Sequence, residues 1–260
     1  MKLIFVTSCK PTKTEKIQTM QMNSLRSWIA LEQEKEIYVF NRNDSVKEMC
    51  KNLKVTIVEE YESSSHSDIP TWRTMRNFAS KISNDDDVIV WVNSDVMFDN
   101  SLIKTIQGVV QSNNENFVLV GQKYDWSNFY DLENNFDLSS LSPLAKHGEY
   151  AIDYFIFKKQ LFENVPEFFI ARQKFDNFLL TKAIKEYFAI DCTNTLLCVH
   201  HRHDYGPEIN LPFHKAHSTN EWQNEQRIND NLMTVQVSSI LNCKNYTSFD
   251  EDGNIKIKNK

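Results

Sequence analysis

Glycine is scarce in this 260-residue sequence, and the spacing of the few glycines excludes two nucleotide-binding motifs. The five glycines lie at positions 108, 121, 148, 206 and 253. They are too far apart to form the GxGxxG fingerprint of dinucleotide-binding folds or the glycine-rich phosphate loop of P-loop proteins. Nucleotide chemistry that depends on either motif is therefore excluded.

Cysteine is equally sparse, and it shows no redox or metal-binding spacing. The five cysteines, at positions 9, 50, 192, 198 and 243, form no CxxC pair. The apolar run near the amino end, Leu3–Val6, is shorter than the core of about 7–15 residues that a secretory signal peptide needs. An odd, scattered set of cysteines in such a chain indicates reduced thiols and predicts a cytoplasmic protein.

An excess of positive charge and a long hydrophobic run are also missing. The 29 basic residues are outnumbered by 35 acidic ones, which argues against a protein that binds nucleic acid through bulk charge. No window approaches the roughly 18 apolar residues that cross a bilayer, so we expect no transmembrane segment. The length and the lack of a clear linker predict one domain.

Strand patterns alternate with helical patterns in the first half of the chain. The apolar strand patterns cover Leu3–Thr7, Ile37–Phe40, Val55–Val58, Val88–Val92 and Phe117–Val120. Helical spacing covers residues 15–31, 71–82, with Thr71 as its cap, and 102–110. This alternation predicts an α/β fold with a mostly parallel central sheet flanked by helices.

The second half is less regular. It begins with a long polar excursion at 127–147, and we expect the charged end at 250–260 to be frayed. Between them the patterns predict strands at 151–157 and 196–199, and helices at 176–187 and 220–233.

The tripeptide Asn93-Ser94-Asp95 directly follows the continuous apolar run Val88–Val92. Ligands of open α/β sheets bind beyond the carboxyl ends of the strands, so Asp95 is placed to hold a divalent cation that neutralises a diphosphate. The alternative interpretation is a turn that also caps the next helix. Three residues alone do not decide between the two.

A histidine cluster, HHRHD, occupies positions 200–204 after the strand pattern at 196–199. Three histidines in four positions beside an acid are typical of metal or catalytic sites. The spacing is not HExxH and no cysteine accompanies it, so neither a zincin nor a structural zinc site fits. Since Asp95 and His203 both follow strands of one sheet, we expect them to lie close together in space.

Two further acids are candidate general bases. Asp176 begins a predicted helix, whose dipole favours the ionised acid and a low pKa, unless Phe175 and Phe178 desolvate the carboxyl and raise its pKa. A helix-capping role is the alternative for Asp176. Asp153 lies in an otherwise apolar strand pattern, so it is either at the mouth of that strand or paired with a specific partner.

Two arginines share one face of the helix predicted at 71–82. Arg73 and Arg76 lie three positions apart, which places them side by side on that helix. They form either a contact for a phosphate or a base, or a solvated basic face, and the sequence leaves both open.

Taken in order, several segments resemble a family of nucleotide-sugar-dependent glycosyltransferases of the GT-A fold, found in bacteria, plants and large algal viruses. Segment 92–98, VNSDVMF, is similar to the family's NaDI version of the DxD motif. The other matching segments are GQKYDW at 121–126, DYFIF at 153–157, PEFFIAR at 166–172, FDNF at 175–178, DCT at 191–193, VHHRHDY at 199–205, and residues 225–232. The resemblance spans nearly the whole chain.

This resemblance implies a metal-dependent glycosyltransferase of polysaccharide biosynthesis. It implies that Asp95, with Asn93 and Ser94 beside it, binds Mn²⁺ or Mg²⁺ at the diphosphate of a nucleotide-sugar donor, with a UDP-sugar favoured. The acceptor would be a hydroxyl of a glycan or glycoconjugate. His203 and His200 match the family's HxxH spacing, and we favour His203 as a further metal ligand.

The resemblance also assigns roles outside the metal site. Asp176 matches the acid at the mouth of the acceptor site, and Asp153 is the second candidate. Thr7 and Ser8, within a segment that ends at Lys10, would approach the nucleoside. Arg73 or Arg76 would approach the base or the phosphates.

The sequence departs from the family pattern at three positions. Asn93 replaces the first acid of the DxD motif, Ala171 replaces a glycine, and Phe175 replaces a tryptophan. The first change weakens or partly removes direct metal contact, and the other two affect the acceptor side.

The family pattern divides the chain into a glycosyltransferase domain over residues 1–245 and a tail over 246–260. Within the domain, about 1–125 would bind the nucleotide and about 126–245 the acceptor. One alternative is a sugar nucleotidyltransferase, although residues 7–12 lack the glycine-rich loop that such an enzyme places after its first strand. The other alternative is a non-catalytic protein that binds a glycan or a metal through its histidines.

Overall fold

Strands and helices alternate along the chain in the computed structural model, which describes residues 1–63, 69–112, 116–133, 136–203 and 220–260. The strands are β1 (Leu3–Thr7), β2 (Lys35–Phe40), β3 (Thr56–Val58), β4 (Val88–Val92), β5 (Val96–Phe98), β6 (Phe117–Val120), β7 (Tyr124–Trp126), β8 (Leu144–Lys146), β9 (Tyr154–Phe157), β10 (Phe188–Asp191), β11 (Cys198–His201), β12 (Asn245–Phe249) and β13 (Ile255–Asn259). The helices are α1 (Glu15–Ala30), α2 (Asp44–Cys50), α3 (Trp72–Ile82), α4 (Ser101–Val110), α5 (Phe175–Glu186) and α6 (Asn220–Leu232). Short 3₁₀ turns lie at Leu138–Ser140 and Ile240–Asn242.

Nine of the strands form one sheet in the order β13-β12-β10-β6-β9-β4-β1-β2-β3. Most neighbours in this sheet run parallel, and β9 runs antiparallel between β4 and β6. The predicted fold class, an α/β domain with a mostly parallel central sheet, is confirmed. Because β9 is reversed, the residues that precede it meet the carboxyl ends of β4 and β6.

The central strands are buried on both faces. Along β1, Leu3 and Phe5 pack into one hydrophobic core together with residues of α1, α2 and α4. Ile4 and Val6 pack into a second core together with residues of α3 and α5. Side chains of a strand alternate between its two faces, so a strand covered by helices on both sides needs a continuous apolar run.

A second, four-stranded sheet in the order β5-β11-β7-β8 lies next to the carboxyl end of β4. The chain leaves β4 at Val92, turns through residues 93–95 and enters β5. Strand β11 pairs antiparallel with β5 and places His200 opposite Val96. The second sheet therefore brings the histidine cluster to the turn that contains Asp95.

Most element boundaries agree with the sequence patterns. Helix α3 begins after Thr71, whose side chain accepts a hydrogen bond from the Thr74 amide (3.1 Å), as predicted. Helix α2, strand β7 and strand β8, which lies in the polar excursion, have patterns too short to predict.

The expectation of a frayed carboxyl-terminal end is wrong. Residues 245–259 form the hairpin of β12 and β13, and β12 pairs with β10 at the edge of the central sheet. Among the described residues, no helix has the length and apolarity needed to cross a membrane.

Candidate functional site

Asp95 lies in a nearly buried turn at the carboxyl end of β4, with 7% of its surface exposed. Two contacts hold the turn in place. The Asn93 amide donates to the Asp153 carbonyl (2.9 Å), and the His201 amide donates to the Asp95 carbonyl (3.1 Å). The backbone of Asp95 is thus fixed between the start of β9 and the end of β11.

Two histidines converge on the Asp95 carboxylate. His203 Nε2 lies 2.9 Å from Asp95 Oδ2, and His200 Nε2 lies 4.0 Å from Asp95 Oδ1. One ligand atom from each of the three residues lies within 4.8 Å of the other two. The predicted proximity of Asp95 and His203 is confirmed, and His200, the second choice, joins them.

The donor atoms of this cluster fit a divalent cation. The buried Oδ1 atom of Asp95 has no hydrogen-bond partner within the described part of the chain. Its 4.0 Å separation from His200 Nε2 is too long for a hydrogen bond but close enough for both atoms to bind one cation after a small adjustment. Mg²⁺ prefers oxygen ligands, so two imidazoles beside one carboxylate suit a transition-metal ion better than Mg²⁺.

Lys10 adds a positive charge beside Asp95. Its Nζ lies 3.4 Å from Asp95 Oδ2, and its side chain is 43% exposed. Burial acts to raise the pKa of Asp95, but the charge of Lys10 and the hydrogen bond to His203 outweigh it and hold that pKa well below its ordinary value. The carboxylate is therefore ionised, which is the form that binds a cation.

Asp153 is held from two sides at the start of β9. Asn93 Nδ2 donates to Asp153 Oδ1 (2.8 Å), and the buried Lys123 ammonium forms an ion pair with Asp153 Oδ2. Burial acts to raise the pKa of Asp153, but the charge of Lys123 outweighs it and the pKa lies below its ordinary value. With both oxygens engaged and a low pKa, Asp153 is poorly suited to accept a proton. Its predicted role as a base stays a prediction without support from these contacts.

Asp176 lies in the first turn of α5 and is half-buried. Burial raises its pKa to about 7. The hydrogen bond that its Oδ1 accepts from the Asn177 amide (2.9 Å) acts to lower the pKa but is the weaker effect. The negative charge of Asp153 acts in the same direction as burial. Desolvation thus outweighs the helix terminus, and Asp176 titrates near neutral pH, as a general base should.

Asp125 and His147 extend the histidine cluster, and no sequence pattern predicted a role for either of them. Asp125 Oδ1 lies 2.9 Å from His200 Nδ1, and Asp125 Oδ2 lies 2.6 Å from His147 Nδ1. Burial acts to raise the pKa of Asp125, but the hydrogen bonds to the two histidines hold it far below its ordinary value. The signal for Asp125 was its position just after the strand pattern Phe117–Val120.

The two buried histidine rings differ in environment. Burial lowers the pKa of His200, so its imidazole is neutral, as a metal ligand requires. His201 points to the other side of β11, where its ring stacks on Phe129 and its Nε2 lies 3.3 Å from Asn23 Nδ2. Burial lowers the pKa of His201 to about 4, and these contacts give it a packing role. Asp204 and Tyr205 of the predicted motif lie outside the described residues.

The end of β1 approaches the same turn through Gln21 of α1. Gln21 Nε2 donates to the Lys10 carbonyl (2.9 Å), while its Oε1 accepts from the Lys10 amide (2.5 Å) and from Ser94 Oγ (3.2 Å). Thr7 is buried, and its Oγ1 is without a hydrogen-bond partner among the residues that the structure describes. Ser8 follows it and is half-buried. Their approach to a nucleoside stays a prediction.

The two predicted arginines bind protein carbonyls. Arg76 is buried and donates to the carbonyls of Leu161 (2.8 Å) and Lys159 (2.7 Å). Arg73 donates to the Val165 carbonyl (2.6 Å). A role in phosphate or base binding stays a prediction for both, and for Arg76 it would require breaking buried hydrogen bonds.

No protein-family model and no curated protein matches the chain. Among solved structures, S. aureus TarS has a TM-score of 0.47 and 15% identity, covering 90% of this chain and 43% of that chain. TarS residues 1–349 in complex with UDP-GlcNAc have a TM-score of 0.37 and 16% identity, covering 61% of this chain and 46% of that chain. The inositol-1-phosphate CTP transferase from T. maritima has a TM-score of 0.44 and 12% identity, and the match covers 76% of this chain and 88% of that chain. The chain thus spans less than half of these two TarS chains, and similarities at this level do not assign a function.

Proposed function

We propose that this chain is a metal-dependent glycosyltransferase that moves a sugar from a nucleoside-diphosphate sugar to a hydroxyl of a glycan or glycoconjugate. The observation that carries the proposal is the convergence of Asp95, His200 and His203 at the carboxyl end of β4, with the buried Asp95 Oδ1 left without a partner. Ligand sites of open α/β sheets lie at such strand ends.

Asp95, His200 and His203 are the residues that would hold Mn²⁺. A bound divalent cation would offset the charge of the diphosphate as the bond between sugar and phosphate breaks. Lys10, half-exposed beside Asp95, adds a second positive charge from the protein for the same diphosphate. Lys123 does not add to it, because it is buried against Asp153.

Asp176 is the proposed general base. The acceptor hydroxyl loses its proton to the Asp176 carboxylate while its oxygen bonds to the anomeric carbon, and the nucleoside diphosphate leaves with the electron pair of the broken bond. A pKa of about 7 supports this role, because a base works best when its pKa lies near the working pH. The negative charge of Asp153, at the start of β9, also acts to raise the pKa of Asp176, which supports the placement of this base near the metal candidates.

The donor side is proposed at the end of β1. Thr7 Oγ1 offers a buried hydrogen-bonding group without a partner in the described chain, and Ser8 follows it beside the loop that contains Lys10. We favour a UDP-sugar as donor, on the resemblance of segment 92–98 to the DxD-like motif.

One assay separates the proposal from its alternatives. The purified chain is incubated with Mn²⁺ and either UDP-sugars or GDP-sugars, and release of the nucleoside diphosphate is measured. A parallel reaction with a nucleoside triphosphate and a sugar 1-phosphate measures pyrophosphate. We expect diphosphate release from a UDP-sugar. Pyrophosphate release would identify a nucleotidyltransferase instead, and Mn²⁺ binding without either product would leave a non-catalytic binding protein.

A further inference from the structure

Three adjacent strands of the second sheet carry a chain of hydrogen bonds that ends at the metal candidates. Asp125 lies on β7 directly opposite His200 of β11, and on its other side β7 pairs with β8, which His147 follows. The His147 amide donates to the Lys123 carbonyl (2.9 Å), which fixes the end of β8 beside β7. The Asp125 carboxylate is thus clamped between two imidazole rings.

This clamp fixes the orientation and the tautomer of His200. Asp125 Oδ1 lies 2.9 Å from His200 Nδ1, and an ionised carboxylate can only accept, so this contact favours a proton on Nδ1 and a lone pair on Nε2. Nε2 points toward Asp95 Oδ1 at 4.0 Å, beyond hydrogen-bond distance. His147 takes the second oxygen of Asp125 (2.6 Å), which prevents the carboxylate from rotating away from His200.

We infer that Asp125 is a positioning residue that sets the metal affinity of the Asp95 site through His200, with His147 as its anchor. The inference rests on the proposed function, because it needs Asp95, His200 and His203 to bind a cation. A metal-binding histidine commonly donates its second ring proton to a carboxylate, and that outer partner determines how well the histidine binds. Asp125 is such an outer partner of His200, and its hydrogen bonds go to His200 and His147 and not to Asp95 or Asp176.

The first test measures Mn²⁺ affinity by calorimetric titration of metal-free protein, with no donor present. Asp125→Ala should weaken Mn²⁺ binding by about 10–100-fold, the effect typical of losing an outer partner of a metal ligand. Asp131→Ala is the matched control, since it removes a carboxylate that pairs with Arg26 on the surface (2.7 Å) outside the site. Wild-type affinity in Asp125→Ala, or equal weakening in both variants, would overturn the inference.

Asp125→Asn provides the conservative rescue. Its amide oxygen still accepts from His200 and its amino group still donates toward His147, so it should recover most of the affinity that Asp125→Ala loses. A D125N variant as weak as D125A would show that the charge of Asp125, and not its orienting hydrogen bond, matters.

The second test needs no variant, so it can be carried out even if Asp125→Ala fails to fold. The ¹⁵N chemical shifts of the His200 ring in the metal-free protein report which nitrogen carries the proton. We expect the Nδ1–H tautomer, and a proton on Nε2 would overturn the inference. If wild-type protein shows this tautomer yet binds no Mn²⁺, the proposed metal site fails while the positioning of His200 by Asp125 stands.

Discussion

His203 and Asp95, 108 positions apart in the sequence, meet at 2.9 Å between Nε2 and Oδ2. Two features of the fold produce this contact. Strand β4 ends directly before the Asp95 turn, and β11 pairs with the strand that follows the turn. The second carboxylate oxygen of Asp95 remains without a partner in the described chain. A site made by two sheets thus offers an anionic oxygen and the Nε2 atom of His200 in a nearly buried position, and a bound cation would displace the proton that His203 Nε2 donates to Asp95.

The first prediction concerns this anionic oxygen. Asp95→Asn keeps the size of the side chain but removes the charge that would bind Mn²⁺. We expect Mn²⁺ affinity to fall by more than the roughly 10–100-fold typical of losing an outer partner, and Mn²⁺-dependent turnover to disappear. Calorimetric titration and donor hydrolysis measure the two effects.

The control is Asp86→Asn, which removes an exposed carboxylate from the turn before β4. Circular dichroism should show both variants folded. Turnover and Mn²⁺ dependence that survive in Asp95→Asn would contradict the metal-binding role.

The main elements of this site could be predicted because strong local patterns position them. The apolar run Val88–Val92 identifies a strand buried on both faces, and the end of such a strand is where a polar side chain meets a ligand. The proximity of His203 to Asp95 was predicted from strand ends of a single sheet. The contact forms although β11 belongs to the second sheet, because β11 pairs with β5, the strand that directly follows the Asp95 turn. Thr71 before a helical pattern likewise predicted the start of α3.

Other parts of the fold could not be predicted, for physical reasons. Strands β7 and β8 have three residues each, too few to show a periodicity, so the clamp of Asp125 and His147 stayed hidden. Strand β13 lies at the sheet edge and alternates isoleucine with lysine, which protects an edge but also resembles a solvated tail. The sequence could not show that Arg76 is buried. The carbonyls that accept its hydrogen bonds lie more than 80 positions away in the sequence.

The second prediction concerns Gly121, at the end of β6. A Cβ atom there would overlap Tyr154 Oη and lie 3.1 Å from the Thr193 amide nitrogen. Tyr154 is buried and its hydroxyl contacts Cys192 Sγ (3.3 Å), so it has little room to move. We expect Gly121→Ala to cost about 1–3 kcal/mol of folding free energy, the usual cost of overpacking, as measured by urea unfolding.

Gly148→Ala is the matched control, because, its two chain neighbours aside, no atom of the described residues lies within 4 Å of the added Cβ at that position. The double variant Gly121→Ala, Tyr154→Phe should recover part of the loss, since it removes the hydroxyl that the Cβ meets. Equal stability of the two alanine variants would refute the steric explanation.

The third prediction concerns the attachment of α6. Glu225 is 1% exposed, and Arg172 Nε donates to its Oε2 (2.9 Å). Removing one partner of a buried ion pair leaves the other charge uncompensated, so Glu225→Ala should destabilise the fold by about 3–5 kcal/mol. Glu186→Ala breaks the exposed pair with Lys182 and should cost only about 0.3–0.5 kcal/mol. Urea unfolding of both variants tests this, and similar small losses would contradict a buried charge pair.

The last prediction concerns Asp176. Asp176→Asn keeps the size and the hydrogen-bonding reach of the side chain but cannot accept the acceptor proton. We expect donor binding to persist and transfer to fall by about 10²–10⁴-fold, the range typical of losing a general base. Only the ionised carboxylate accepts a proton, so the wild-type rate should rise with pH through about pH 7, and this rise should be absent in Asp176→Asn. Steady-state rates across this pH range measure both effects.

Stability against pH separates a general base from a helix cap. Burial raises the folded-state pKa of Asp176 to about 7, above its value of about 3.9 in an unfolded chain, so the folded protein binds more protons between these values. Wild-type stability should therefore fall as pH rises from about 4 to about 7 more steeply than that of Asp176→Asn. If Asp176 only caps the helix, stability should change with pH in the opposite direction, because the ionised carboxylate then stabilises the fold. Asp176→Asn would in that case lower stability most above pH 4. Two results together would contradict the role of general base: transfer by Asp176→Asn at the wild-type rate, and a loss of stability mainly at neutral pH. They would show that Asp176 only caps the helix.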